Sequence, residues 1–243
     1  MKIRLDQVLV DLKLVPTRSQ AESYIKLGQV EVNGRIIKKP GFGVQGTDKV
    51  YLTATEQYVS RAALKLKSAA EYFNLDFIDK TVLDVGSSTG GFTDYALRHG
   101  AKKVFAIEVG TDQLHPTLRD DSRIELHEKM DIRDFNTTEN IDIVVADVSF
   151  ISLREILPHV SQIVSVHTDI IAMVKPQFEA AESSLKHKGV IKNDKLRRDI
   201  LKDFEVWSSK HFKILSKTDS LVPGSKGNVE RFYILRKLSK SHL

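Results

Sequence analysis

The 243-residue chain has no cysteine, which excludes disulfides and any thiolate metal site. That absence fits a reducing compartment, and a cytoplasmic location is expected. No apolar run approaches the roughly 20 residues that a membrane-spanning helix needs. The longest candidates, "IDIVVADVSFI" and "DIIAMV", are interrupted or bounded by aspartate. The amino terminus "MKIRLDQVLV" carries charge inside its apolar stretch and no small-residue cleavage site, so it is a poor secretory signal. The histidines show no ligand spacing, and no metal is expected.

What is present is an apolar content of 41%, enough for a sizeable core, and an uneven charge. The net charge of +5 divides into +3 over residues 1–57, −7 over residues 58–185 and +9 over residues 186–243. Basic ends around an acidic middle fit a polyanionic partner contacted from both ends.

Near the start, Leu5, Val8, Leu9 and Leu12 recur at helical spacing. A second helix is announced by Thr17 as N-cap with Gln20 three residues on, a capping box, and Gly28 is a plausible stop. "QVEVNGRII" then alternates and contains Asn33-Gly34, a tight-hairpin signal. A segment this small buries little surface, yet it shows phosphate-pairing side chains around one turn region. "RLDQVLVDLKLVPTRSQAESYIKLGQVEVNGRIIKKPG" resembles the ribosomal-protein-S4-like RNA-binding domain over residues 3 to 48. The resemblance implies binding of structured RNA through the second helix and hairpin, with Arg4, Arg18, Ser19, Gln20, Lys26, Gln29, Asn33 and Arg35 as candidate contacts.

From residue 80 apolar strands alternate with helical segments: "TVLDVG", "KVFAIEVG", "RIELHE", "IDIVVADV", "DIIAMVK", "FKILSK" and "RFYILRK". This argues an α/β, doubly wound, mostly parallel sheet whose ligands lie outside the carboxyl ends of the strands. The last two strands lack an intervening helix and are expected as an antiparallel hairpin at one edge. The first strand runs into "DVGSSTGGFTDYAL", where Gly86, Gly90 and Gly91 permit a tight turn and close approach to a ligand. Glu108, ending the second strand, suits a ribose hydroxyl pair, and Asp131 is placed for an adenine amino group. Together they indicate an adenosine-bearing ligand. A pyrophosphate wants bare helix amides, whereas Asp84 and Asp94 on either side of the loop favour a cation. S-adenosylmethionine, with its sulfonium and α-ammonium, fits better than a nicotinamide dinucleotide.

Asp147 in "VVADVSF" and Lys175 in "AMVKPQF" end neighbouring strands and should meet on one rim. Glu230 opens the last strand in "GNVERFY", and Lys65 lies on the amphipathic helix before the first strand. A buried lysine must be paired or neutralised, so nearby carboxylates make such positions tolerable. "DVGSSTGGFTD", "VVADVSFISL", "MVKPQFE" and "GNVERFY", in this order, resemble the FtsJ-like ribose 2′-O-methyltransferases. With the N-terminal domain, the chain resembles the TlyA family, often labelled hemolysin, over essentially its whole length.

That resemblance implies a Rossmann-like class I methyltransferase fold behind a small α+β N-terminal domain. It implies a catalytic tetrad of Lys65, Asp147, Lys175 and Glu230, and S-adenosylmethionine held by Asp84, Gly86, Ser87, Gly90, Gly91, Phe92, Glu108, Asp131 and Asp147. The expected partner is ribosomal RNA or a ribosomal subunit, with a cytidine ribose as target. Short termini favour large-subunit RNA. The expected division is an RNA-binding domain over 1–57, a linker over 58–64 and a methyltransferase domain over 65–243. Where the family has paired glycines before the first tetrad lysine, this chain has Ala62-Ala63, which stiffens the linker. Two other functions compete: an RNA-binding or ribosome-assembly module with a vestigial site, and a membrane-active hemolysin, for which no lytic segment is found.

Overall fold

The structure, a computed structural model, describes residues 2–180, 189–224 and 226–239. In chain order the N-terminal elements are β1 (Ile3–Arg4), α1 (Leu5–Asp11), α2 (Arg18–Lys26), β2 (Val30–Val32), β3 (Arg35–Ile36), β4 (Gly43–Val44) and β5 (Val50–Leu52). The expected helix, helix and hairpin are there. Thr17 caps α2 by accepting from the Gln20 amide. Asn33 and Gly34 both have positive φ, 50° and 75°, as a tight hairpin turn between twisted strands requires. β5 adds a third strand beside β2, and β1 pairs with β4. Leu12 departs from its expected buried row: α1 ends at Asp11, so Leu12 leaves the helical register and is 54% exposed.

α3 (Arg61–Phe73) follows, capped by Ser60. Residues 61–64, expected as linker, are therefore its first turn, and Ala63 and Leu64 are buried. Then come β6 (Thr81–Val85), α4 (Gly91–Arg98), β7 (Lys103–Glu108), α5 (Pro116–Arg119), β8 (Ile124–Glu128), β9 (Ile143–Ala146), α6 (Leu153–Ile163), β10 (Asp169–Val174), α7 (Pro176–Glu179), α8 (Asp194–Ser208), β11 (Phe212–Asp219) and β12 (Arg231–Lys237).

The seven strands β6 to β12 form one sheet in the order β11-β12-β10-β9-β6-β7-β8. β6 to β10 run parallel, and β12 is antiparallel to both β10 and β11. The final hairpin does sit at one edge, but its second strand lies inside. Residue type decides which strand goes out. β11, "FKILSKTD", alternates and places lysines on the solvent face, as an edge strand should. β12, "RFYILRK", has four consecutive buried residues and is covered on both faces. No helix of the described residues is long and apolar enough to cross a membrane.

The N-terminal domain packs on α3 and α4. Tyr58 is buried, its ring 5.7 Å from that of Tyr95, and its carbonyl accepts from Gln20. At Gly91 a Cβ would fall 2.3 Å from the Ser60 hydroxyl and 2.8 Å from the Ala62 Cβ, so glycine there lets the starts of α3 and α4 touch.

Candidate active site

Two features of the sheet bring three charged side chains to one rim, and a helix adds a fourth. Asp147 follows β9 and Lys175 follows β10, parallel neighbours in register at Ala146 and Ala172. Pro176 starts α7 directly after Lys175. β12 runs the opposite way, so its beginning, at Glu230, lies by the end of β10, where Arg231 pairs with Val174. Lys65 reaches in from α3. The Lys175 ammonium lies 2.5 Å from Asp147 and donates to the Ser149 hydroxyl at 2.7 Å. The Lys65 ammonium donates to Glu230 at 2.5 Å.

All four residues line one cavity of about 580 Å³, together with Arg61, Ser149, Phe150, Gln177 and Lys226. Lys65, Lys175 and Glu230 are 5%, 8% and 2% exposed. Burial this deep would expel a lone charge, and the one-to-one pairing makes the set tolerable. A Cβ at Gly224 would sit 2.9 Å from a Glu230 oxygen, so a side chain there would push the carboxylate from its present place.

Gly86, Glu108, Asp131 and Asp147 line a second, partly apolar cleft of about 390 Å³ at the turn after β6. Asp147, Ser149 and Phe150 belong to both hollows. Gly86 has φ +82°, and a Cβ would meet the Asp147 carbonyl at 3.1 Å. Glu108 is oriented by the amides of Ser88 and Gly110, at 2.9 and 2.7 Å. The Asp131 carboxylate is paired with Arg133, which holds it below the usual range. Asp84 is fully buried, and burial, reinforced by Asp147 and Glu108, pushes its carboxyl up to about 7. One of its oxygens accepts from Thr93 at 2.7 Å; the other has no partner among the described residues, and neither has the buried Ser87 hydroxyl. Such orphaned polar atoms beside a glycine turn fit a ligand with polar groups of its own.

Other expected ligand contacts are placed differently. Gly90 has φ +85° and faces Leu114 and Leu118, Gly91 faces α3, and Phe92 is a core side chain 6.3 Å from the Phe232 ring. Asp94 corrects the cation argument: it is buried, pairs with Arg98 at 2.6 Å and accepts from the Val59 amide, tying the domains together away from the loop. In the N-terminal domain Arg4, Arg18, Ser19, Lys26 and Arg35 are exposed. Gln20 is buried against Tyr58, and Asn33 is spent on Asp48 and the Lys49 amide. Both side chains are bonded within the domain, and Asn33 remains exposed. Gln29 is half-buried, its side-chain oxygen unpartnered among the described residues.

Several residues at the cavity escaped the sequence reading, among them Ser149, which accepts from Lys175, and three more. Phe150 is 91% exposed at φ +65°, with its ring 5.2 Å from Phe178. Its signal was an aromatic just past a rim aspartate. Arg61 lines both the lysine cavity and a groove formed with Arg18, Ser19, Lys26, Gly224 and Gly227. Asn228 is buried and binds the Gly189 carbonyl and the Ile191 amide, fixing the cavity wall, a role no local pattern announces.

Comparison with known proteins matches two families along the chain. The FtsJ-like methyltransferase family matches residues 58–237, and the S4 domain matches residues 3–50. A Campylobacter jejuni protein named 23S rRNA (cytidine-2′-O)-methyltransferase TlyA is 42% identical over 74% of this chain and 71% of its own. A Mycobacterium tuberculosis protein named 16S/23S rRNA (cytidine-2′-O)-methyltransferase TlyA is 36% identical over 97% of this chain and 90% of its own. A solved Streptococcus thermophilus structure carrying a hemolysin name is 34% identical, with a TM-score of 0.73 over 98% of this chain and 89% of that one.

Proposed function

From the premise that this chain belongs to the FtsJ-like methyltransferases and carries an S4 domain, we propose that it methylates a cytidine ribose 2′-hydroxyl in ribosomal RNA, using S-adenosylmethionine. The observation that carries the proposal is the juxtaposition of the two hollows: the glycine-turn cleft and the lysine cavity share Asp147, Ser149 and Phe150. A donor in one and an acceptor in the other would meet at that shared wall. Large-subunit RNA is the favoured target, in line with the name of the 42% identical relative. A cytoplasmic site of action follows from that substrate.

S-adenosylmethionine, when bound, supplies an electrophilic methyl on a sulfonium. Asp84, Gly86, Ser87, Glu108 and Asp131 are the residues that would hold it, with the free oxygens of Asp84 and Ser87 offered to its polar groups. The chain's remaining work is positioning and charge control. Lys175, fixed by Asp147 and Ser149, presents an N–H to the ribose oxygen and stabilises negative charge as it builds there. With Lys175 kept as the ammonium donor, the hydroxyl proton passes to the Asp147 carboxylate beside it. Lys65 adds a second cation, kept in place by Glu230. Phe150 offers a stacking face to a base at the rim. Holding two reactants in line supplies up to roughly 7–11 kcal/mol of the barrier reduction in favourable cases.

The test is tritiated methyl transfer to ribosomal RNA by wild type and Lys175→Ala. A loss of about 10²–10⁴-fold is expected. Equal labelling by both would sink the lysine assignment. Calorimetric titration with S-adenosylmethionine is the companion measurement: no binding would leave an RNA-binding module with a vestigial site.

A further inference from the structure

Asp6 has no exposed surface, yet it sits between two exposed cations of the N-terminal domain. Its carboxylate accepts from Arg4 Nε at 3.0 Å, Arg4 Nη2 at 2.7 Å, Arg18 Nη2 at 3.0 Å and the Gln7 amide at 2.9 Å. Arg4 precedes α1 and Arg18 begins α2, so one carboxylate joins the starts of two helices. The arginine side chains remain 55% and 51% exposed. Arg4 is also held from its other side: a Cβ at Gly41 would lie 3.1 Å from Arg4 Nη1, and the turn leaves that space to the guanidinium. Burial raises the Asp6 carboxyl, but the two guanidiniums outweigh it and keep the group below its ordinary value. An acid in a first helical turn needs one amide bond to serve the helix. A desolvated carboxylate that also fixes two arginines does more than that.

Arg18 lines the groove that shares Arg61 and Gly224 with the lysine cavity. We infer that Asp6 is a positioning residue: it locks Arg4 and Arg18 into one preformed fork for an RNA backbone phosphate, with Arg18 at the edge of that groove and Arg4 beside it on Asp6. The inference rests on the RNA-methyltransferase reading. Planar guanidiniums bind phosphate through paired N–H groups, and fixing them beforehand removes the ordering cost from the binding step.

Charge alone predicts the reverse of this. Removing Asp6 makes the face more positive, which by electrostatics tightens RNA binding. The fork predicts weaker binding, so the sign decides. The experiment uses full-length protein and transcribed large-subunit ribosomal RNA, measuring affinity against salt and methyl-transfer kinetics for wild type, Asp6→Asn, Arg4→Lys and Arg18→Lys. Expected for Asp6→Asn is about ten-fold weaker binding, a salt slope shallower by about 1, and a loss that falls on KM more than on kcat. The two lysine variants keep the charge and lose the fork, so they should weaken binding comparably, and they decide the matter if Asp6→Asn does not fold. Unchanged or tighter binding by Asp6→Asn, or wild-type affinity in both lysine variants, overturns the inference. Wild type that binds the transcript without methylating it counts against the enzymatic reading alone, and the binding series still judges the fork. Wild type that does not bind overturns the fork itself.

Discussion

The lysine cavity and the arginine face are built from the same parts, two cations with carboxylate partners, at opposite depths. In the cavity Lys65 and Lys175 each take one carboxylate at 2.5 Å, and the pairs are almost entirely withdrawn from water. On the face Arg4 and Arg18 share the buried Asp6 while half of each side chain stays in solvent. Depth changes what the carboxylate is for. In the cavity it makes a buried charge possible at all, because an unpaired ammonium would be neutralised or expelled. On the face the arginines would be charged without help, and the acid decides only where they point. Buried pairs should therefore be costly to break, and exposed ones cheap in stability but costly in recognition.

The sharpest way to break that comparison is Glu230→Gln. It leaves Lys65 without a countercharge at 5% exposure, and a half-broken buried pair costs about 3–5 kcal/mol. Denaturant unfolding of the full chain measures it; a change below about 1 kcal/mol would put the pair in the surface class. Next comes the scaffold that aims Lys65. Gly91→Ala forces a Cβ against Ser60, Ala62 and the Ala63 backbone, and overpacking of this kind costs about 1–3 kcal/mol. Because the contact lies at the start of α3, methyl transfer should fall along with stability. Wild-type activity in a destabilised Gly91→Ala would separate Lys65 placement from that contact.

Asp84 is the internal control, a buried acid with no cation, and its carboxyl goes up to about 7. The folded form therefore holds a proton that the unfolded form gives up near 3.8, so on this account stability falls as pH rises from there to about 7 and then levels. A cationic ligand favours the ionised form. S-adenosylmethionine affinity should rise by up to about tenfold per pH unit below about 7, with proton release on binding. Calorimetry in buffers of different ionisation heat reads both, and Asp84→Asn should flatten the profile. An affinity independent of pH between 5 and 8 would remove Asp84 from the ligand's surroundings.

These differences in depth also explain what could be read from sequence. All seven strands of the large sheet were legible, because strands covered on both faces read as short apolar runs bounded by turn residues. Asp147 and Lys175 were legible because the ends of neighbouring parallel strands must share a rim, whereas Lys65, on α3, and Glu230, before the antiparallel β12, were named through the family resemblance. The interior position of β12 was not legible, since a hairpin pattern does not say which strand faces outward. Gly90, Gly91, Phe92, Gln20 and Asn33 were read as contacts for ligand or RNA and Asp94 as a charge favouring a cation, and the structure gives each of them a role in packing or in holding the chain together. Tight packing and ligand approach ask for the same residue types, and only the third dimension separates them. Asp6 stayed silent for a related reason: an acid at a helix start is ordinary, and its partner Arg18 is twelve positions away.

The smallest expected effect is also the most direct test of the contrast in depth. Arg18→Ala removes one of the two arginines bound to Asp6 and leaves the bidentate pair with Arg4 and the Gln7 amide in place. The acid stays partnered, and the deleted side chain was half in water. Stability should therefore move by less than about 1 kcal/mol, as for other exposed ion pairs. RNA affinity should fall and its salt dependence weaken by about 1, the signature of one lost phosphate contact. Denaturant unfolding and salt-dependent RNA binding on one preparation check both halves. A stability loss approaching that of Glu230→Gln would mean that Arg18 is needed to keep Asp6 buried, and the face would then be a structural ion-pair network like the cavity, whatever RNA it also touches.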